Sequence, residues 1–167
     1  ALGGSSVAAV ALIWAVAKAL NRIGQPMPEH RAVALLAHAI EQSVAGVPCG
    51  IQDQLAAVYG GVNGWYWLAE PGSVFERREV VAPDRCADFS KHLLVAYCGV
   101  PHVSKDINGS WVRDFLAGRQ RAEWRQITAL SRQFIEAMAG GHYDEAVSLM
   151  NRETDLRLAM TPEVLDE

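Results

Sequence analysis

The chain opens on a glycine–serine bend, Leu2-Gly3-Gly4-Ser5-Ser6, that runs straight into an apolar stretch from Val7 to Leu20. No other feature limits the fold so strongly. Glycine admits backbone conformations closed to other residues and lets a ligand approach closely. The first N–H groups of a helix have no partner inside it, and the helix dipole favours negative charge there. Serine hydroxyls in such a bend can cap the helix or reach a metal ion. The segment therefore reads either as an anion cradle or as a capped terminus, and taken alone it favours the cap.

The run from Val7 to Leu20 is shorter than the roughly 20 residues a bilayer span requires, and Lys18 interrupts it. Ala15-Val16-Ala17 resembles a signal-cleavage box, yet no basic segment precedes the run. A buried helix is the expectation. Half of the 167 residues are hydrophobic, which suits a chain able to build a core. The net charge of −4 supplies no broad basic field, so no nucleic-acid partner is expected. Local basic clusters at Arg77-Arg78 and along Arg119, Arg121 and Arg125 read as solvated faces. Cys49, Cys86 and Cys98 have neither disulfide-framework nor metal spacing, which suits a reducing, cytoplasmic setting.

A second segment bears on the first. Residues 50–63 read Gly-Ile-Gln-Asp-Gln-Leu-Ala-Ala-Val-Tyr-Gly-Gly-Val-Asn, in which Asp53 opens a short apolar helix closed by Gly60-Gly61. A carboxylate there is often only a helix cap. The pairing of Leu-Gly-Gly-Ser-Ser with this Gln-Asp-Gln block, in this order, resembles the GHMP kinases. These include galactokinase, homoserine kinase, mevalonate kinase and phosphomevalonate kinase, and the likeness is greatest to the sugar kinases that phosphorylate heptose 7-phosphate at the anomeric position. It is sharp over residues 1–64 and only a general pattern over 65–167.

The resemblance implies ATP and Mg²⁺ as cofactors and a sugar or sugar phosphate as substrate; a homodimer stays open, and the short, interrupted apolar run gives the expectation of no membrane partner. It implies that Gly3, Gly4, Ser5 and Ser6 hold the nucleotide phosphates. One serine contacts Mg²⁺ and the other a phosphate oxygen, in an order the residues do not tell. No Gly-Lys-Ser/Thr follows, so the loop is not of the Walker type. Asp53 matches the acid beside the acceptor hydroxyl, and Glu41 the metal-binding glutamate of the preceding helix; a helix cap and a solvated position are the respective alternatives. Gln52 and Gln54 would bind sugar hydroxyls, unless they only serve the polarity of the helix start. Ile51 stands where heptose kinases usually carry Lys, which removes a positive charge beside the acceptor. Other family substrates, a hexose or an isoprenoid precursor, therefore stay open, as does a non-catalytic helical interaction domain. Asn63 reads as a turn residue. His102, Ser104 and Lys105 are weaker candidates in a loop. His30, His38, His92 and His142 have no ligand spacing, and Trp14, Trp124 and Phe134 read as core.

Periodicity predicts helices over about 5–22, 29–44 and 52–59. Ala32, Leu35, Leu36, Ala39 and Ile40 mark the second. Trp65–Leu68 and Val74–Val81 read as strands joined by Glu70-Pro71-Gly72, and Ala82–Arg85 as a linker. Lys91–Gly99 reads as a buried strand. Helices follow over about 106–117, 121–139 and 143–159, with Ala146, Leu149 and Met150 inward in the last. This order suits an α+β fold. The resemblance implies a two-domain arrangement, a ribosomal protein S5-like part over 1–88 followed by a ferredoxin-like part over 89–167, both partial. The chain lacks an initial Met and begins inside the glycine motif, so it reads as a piece of a longer protein. The family's first motif is expected upstream of Ala1 and its late glycine-rich motif beyond Glu167.

Overall fold

The structure is a computed structural model, and it describes residues 3–45, 50–70, 73–96 and 107–162. The chain divides into two compact units, one of residues 1–60 and 98–109 and the other of 61–97 and 110–167.

The first unit holds three helices: α1 (Gly4–Asn21), α2 (His30–Ala45) and α3 (Gln52–Tyr59). α1 buries only Ser6, Val10 and Ala17, a single stripe at helical spacing. Val10 meets Val33 and Ala37 of α2 in a small core, with Ile13, Trp14, Ala57 and Val58 around it. Ala34 and Ala37 are fully buried, Ala37 within that core. α2 does not bury its wide residues: Leu36 and Ile40 are half exposed, and Val33, Ala34 and Ala37 face inward instead. The expectation of a buried α1 also fails. Val7, Leu12, Val16 and Leu20 are exposed, because α2 and α3 cover only one side of a helix that is apolar nearly all round. By length and composition alone, α1 is apolar enough to cross a membrane.

The second unit pairs a hairpin with helices. Strands β1 (Val62–Glu70) and β2 (Ser73–Val81) are antiparallel, with Trp65 opposite Arg77 and Trp67 opposite Phe75. Pro71 and Gly72 of the expected turn lie outside the described residues. Within the expected linker Ala82–Arg85, Pro83–Arg85 forms a 3₁₀ turn, and α4 (Cys86–Phe89) and a second 3₁₀ turn Ser90–His92 follow it. Then come α5 (Ile107–Leu116), α6 (Arg121–Gly140) and α7 (Tyr143–Met160). Ile127, Leu130, Ala137 and Met138 are the buried residues of α6; Leu130, Ala137 and Met138 pack with Ala146 and Leu149 of α7, Val81 and Phe89. Met150 is half exposed, against expectation, since the seam continues from Leu149 to Leu156. The hairpin is held to α6 at Gly64, which lacks a side chain where Ile135 presses in, and by Arg78, which donates to both oxygens of Glu136.

The buried strand expected at Lys91–Gly99 is absent among the described residues. Leu93, Leu94 and Val95 have no regular structure and are 58%, 92% and 74% exposed. An isolated strand has no ladder partner, and the described sheet has only β1 and β2.

Candidate functional site

The buried stripes of the first unit end in polar residues at the same place. On α1 the spacing that buries Val10 also buries Ser6, which is 2% exposed. On α2, steps of four lead from Val33 and Ala37 to Glu41, so the carboxylate continues an apolar face and points at α1. On α3, Gln54 is buried beside Leu55 at 1% exposure. The three helices thus deliver a hydroxyl, a carboxylate and an amide to one point.

The contacts are short. Ser5 Oγ donates to Glu41 Oε1 at 2.5 Å, and Ser6 Oγ donates to Oε2 at 2.6 Å. Gln54 Nε2 donates to Glu41 Oε2 at 2.5 Å and to Ser6 Oγ at 3.2 Å. The carboxylate fixes how the amide faces, since an oxygen turned toward it would repel. Gln54 Oε1 is left buried and without a hydrogen-bond partner. The Ser5 and Ser6 hydroxyls hold Glu41 below the usual carboxylate range, helped by Gln54 and the nearby His38 and opposed by partial burial.

The glycines complete the bend. Gly3 is the residue before α1 and lies in the left-handed region at φ 65°. A Cβ built there would sit 3.1 Å from Asp53 Cγ and 3.3 Å from Oδ2, so the Asp53 carboxylate lies directly against the glycine backbone. Gly4 has open space around it. The α1 terminus has no side-chain cap and no acidic residue in its first turn. The first backbone bond at this end runs from Val7 N–H to Gly3 O, which leaves the N–H groups of residues 4–6 ahead of it. Both serines are spent on Glu41 instead of capping.

Asp53 is exposed in the first turn of α3. Ile51 occupies the cap position with no side-chain cap bond, so Asp53 does not cap this helix. Gln52 is exposed, with its amide folded over Gly50, where a Cβ would meet Oε1 at 1.9 Å. Ile51 is buried at 8% exposure. Gly3, Gly4, Ser5, Ser6, Glu41, Asp53 and Gln54 are thus brought together, while Gln52 stands at the edge. His102, Ser104, Lys105, Cys49 and Cys98 lie outside the described residues. Asn63 accepts from Arg77 Nε at 2.7 Å across the hairpin. His30 packs against Trp14 and Tyr59, and His92 against Tyr143. The link that Gln54 makes between helices was not recognised from sequence.

Residues 1–61 match the N-terminal domain of the GHMP kinases. Over 62 residues the chain is 45% identical to the D-glycero-alpha-D-manno-heptose 7-phosphate kinase of Campylobacter jejuni. That overlap covers 37% of this chain and 17% of the relative. No solved structure matches the chain.

Proposed function

We propose that the first unit is part of an ATP-dependent kinase that transfers the γ-phosphoryl group to a hydroxyl of a sugar or sugar phosphate, with a heptose 7-phosphate as the favoured acceptor. The two-domain GHMP arrangement belongs to the same proposal. One observation carries it: the uncapped Gly3–Ser6 bend lies against the Asp53 carboxylate while its serines hold Glu41.

Phosphoryl transfer needs positioning and charge neutralisation more than covalent help. The N–H groups at the start of α1 supply donors for phosphate oxygens, and the glycines leave room for them. The donors suit Mg²⁺, which takes hard oxygens and usually only one or two carboxylates. Glu41 gives the carboxylate, Ser5 and Ser6 give hydroxyls, and the partnerless Gln54 Oε1 lies beside them. Because each serine donates its proton to Glu41, oxygen lone pairs remain to face a cation, although Ser6 already uses one to accept from Gln54 Nε2. When bound, the metal would offset charge on the nucleotide phosphates. No cluster of three His, Cys, Asp or Glu side chains exists among the described residues, so such a site would draw its other ligands from hydroxyls, phosphates and water.

Asp53 is assigned to accept, or to align, the acceptor hydroxyl's proton. It is exposed and bonded to no described residue, as a group that must meet a substrate requires. Gln54, being buried, is assigned to position Glu41 and Ser6 instead of touching the sugar. Gln52 is the glutamine accessible to sugar hydroxyls.

The test uses the full-length protein. Asp53→Asn should lower turnover by about 10²–10⁴-fold while Mg²⁺-dependent ATP binding persists. Ser5→Ala with Ser6→Ala should abolish that binding. Undiminished turnover in Asp53→Asn removes the acceptor role, and undiminished ATP binding in the serine double variant removes the loop.

A further inference from the structure

The second unit carries an open groove of about 560 Å³ lined by Phe115, Arg121, Trp124, Arg125, Thr128 and Arg132. Five of these fall on α6, and four of the five, Arg121, Arg125, Thr128 and Arg132, stand at positions i, i+4, i+7 and i+11, a single face of the helix. Three cations therefore stand in one row, and no carboxylate is among the described residues that line it. This is unexpected in a chain of net charge −4.

The other basic residues nearby are engaged. Arg119 pairs with Asp114, and Arg157 with Glu153. Arg121 reaches the Phe115 carbonyl at 3.3 Å and lies 5.5 Å over the Phe115 ring. Arg125 and Arg132 have no hydrogen bond or ion pair among the described residues. Like charges spaced four apart on a helix repel one another, so the row costs stability unless an anion answers it. One wall is aromatic: Phe115 is half exposed, and Trp124 holds a buried indole N–H without a hydrogen-bond partner. Arg125 and Arg132 are seven residues apart, about 10 Å along the helix axis. Two linked anionic groups can answer both, where one phosphate would reach one.

We propose that this groove binds an organic diphosphate with a flat ring, of which a nucleoside diphosphate is the simplest case. Arg125 and Arg132 take the phosphates by forked, charge-assisted hydrogen bonds, and Phe115 and Trp124 face the ring. The groove shares no residue with the Gly3–Ser6 bend, and the proposal does not depend on the kinase reading.

Calorimetric titration tests it with ADP, inorganic pyrophosphate and adenosine as probes. The full chain carries Ser5→Ala and Ser6→Ala, in buffer with EDTA, so that any metal-dependent nucleotide binding at the bend is silenced. ADP should bind about tenfold more tightly than pyrophosphate, since ring contact adds to the anion term, and adenosine should bind weakest. Arg125→Gln with Arg132→Gln should weaken ADP by about 100-fold, and raised salt should weaken it in the parent only. Both arginines are exposed, so circular dichroism should be unchanged; the single Arg132→Gln variant gives a second reading at about tenfold. Trp124→Phe should reduce the advantage of ADP over pyrophosphate. ADP affinity unchanged in the double arginine variant, or no binding of either phosphate at about 1 mM, overturns the proposal.

Discussion

Gly3 and Gly4 are neighbours in one motif, yet alanine should have opposite effects at the two positions. Gly3 sits at φ 65°, a left-handed conformation that costs an ordinary L-residue about 1–2 kcal/mol. Its new Cβ would also lie 3.1 Å from Asp53 Cγ. That is tighter than ordinary van der Waals contact, so the exposed Asp53 side chain must give way by a few tenths of an ångström. Gly4 is the first residue of α1, and a Cβ there meets nothing within 4 Å. Alanine in a helix gains about 0.5–1 kcal/mol over glycine through lost unfolded-state entropy, and less at a terminus. The two variants should therefore differ by about 2 kcal/mol, a shift of about 1 M in urea midpoint for a domain of ordinary size. Urea unfolding followed by circular dichroism measures it. The contact part separates in an Asp53→Ala background, where the cost of Gly3→Ala should fall but not vanish. Equal midpoints for the two alanine variants, or a lower one for Gly4→Ala, would refute the reasoning.

Glu41 gives a pH signature. Its carboxyl is held low mainly by Ser5 and then by Ser6, so its contribution to stability is present above the unfolded-state value and is lost as pH falls through the folded one. Glu41→Gln should therefore be less stable than the parent at neutral pH, with the gap closing under acid. Urea midpoints from neutral pH down to the carboxylate range check this, and a gap that stays constant with pH contradicts it. At Gly64, a Cβ would lie 3.0 Å from both Ile135 Cδ1 and Cγ2, and the branched Cγ2 cannot swing clear. Gly64→Ala should cost about 1–3 kcal/mol by overpacking, and Ile135→Ala in the same chain should recover part of it. No recovery in the double variant would mean that the strand backbone, not Ile135, resists the new methyl.

Most of the secondary structure was legible because local spacing decides it. The apolar run after the Gly/Ser bend, the eight residues closed by Gly60 and the β-rich segments around Glu70-Pro71-Gly72 each point to one kind of element. The strand expected at Lys91–Gly99 failed because an apolar run of that length does not say whether a neighbour exists to pair with it. Leu93 to Val95 find none among the described residues.

Glu41 shows where sequence stops. Its four-residue spacing from Val33 and Ala37 is plain in the sequence, but which face of α2 turns inward depends on what α1 and α3 offer to pack against it. The identities of Gly3, Ser5, Ser6 and Asp53 were set by residue chemistry and recognisable in order. That Asp53 rests on the Gly3 backbone, while both serines grip one carboxylate from another helix, is decided only by packing three helices together. Backbone propensity acts over a few residues; these contacts join positions 35 to 50 apart, where only the burial of shared faces can choose the partner.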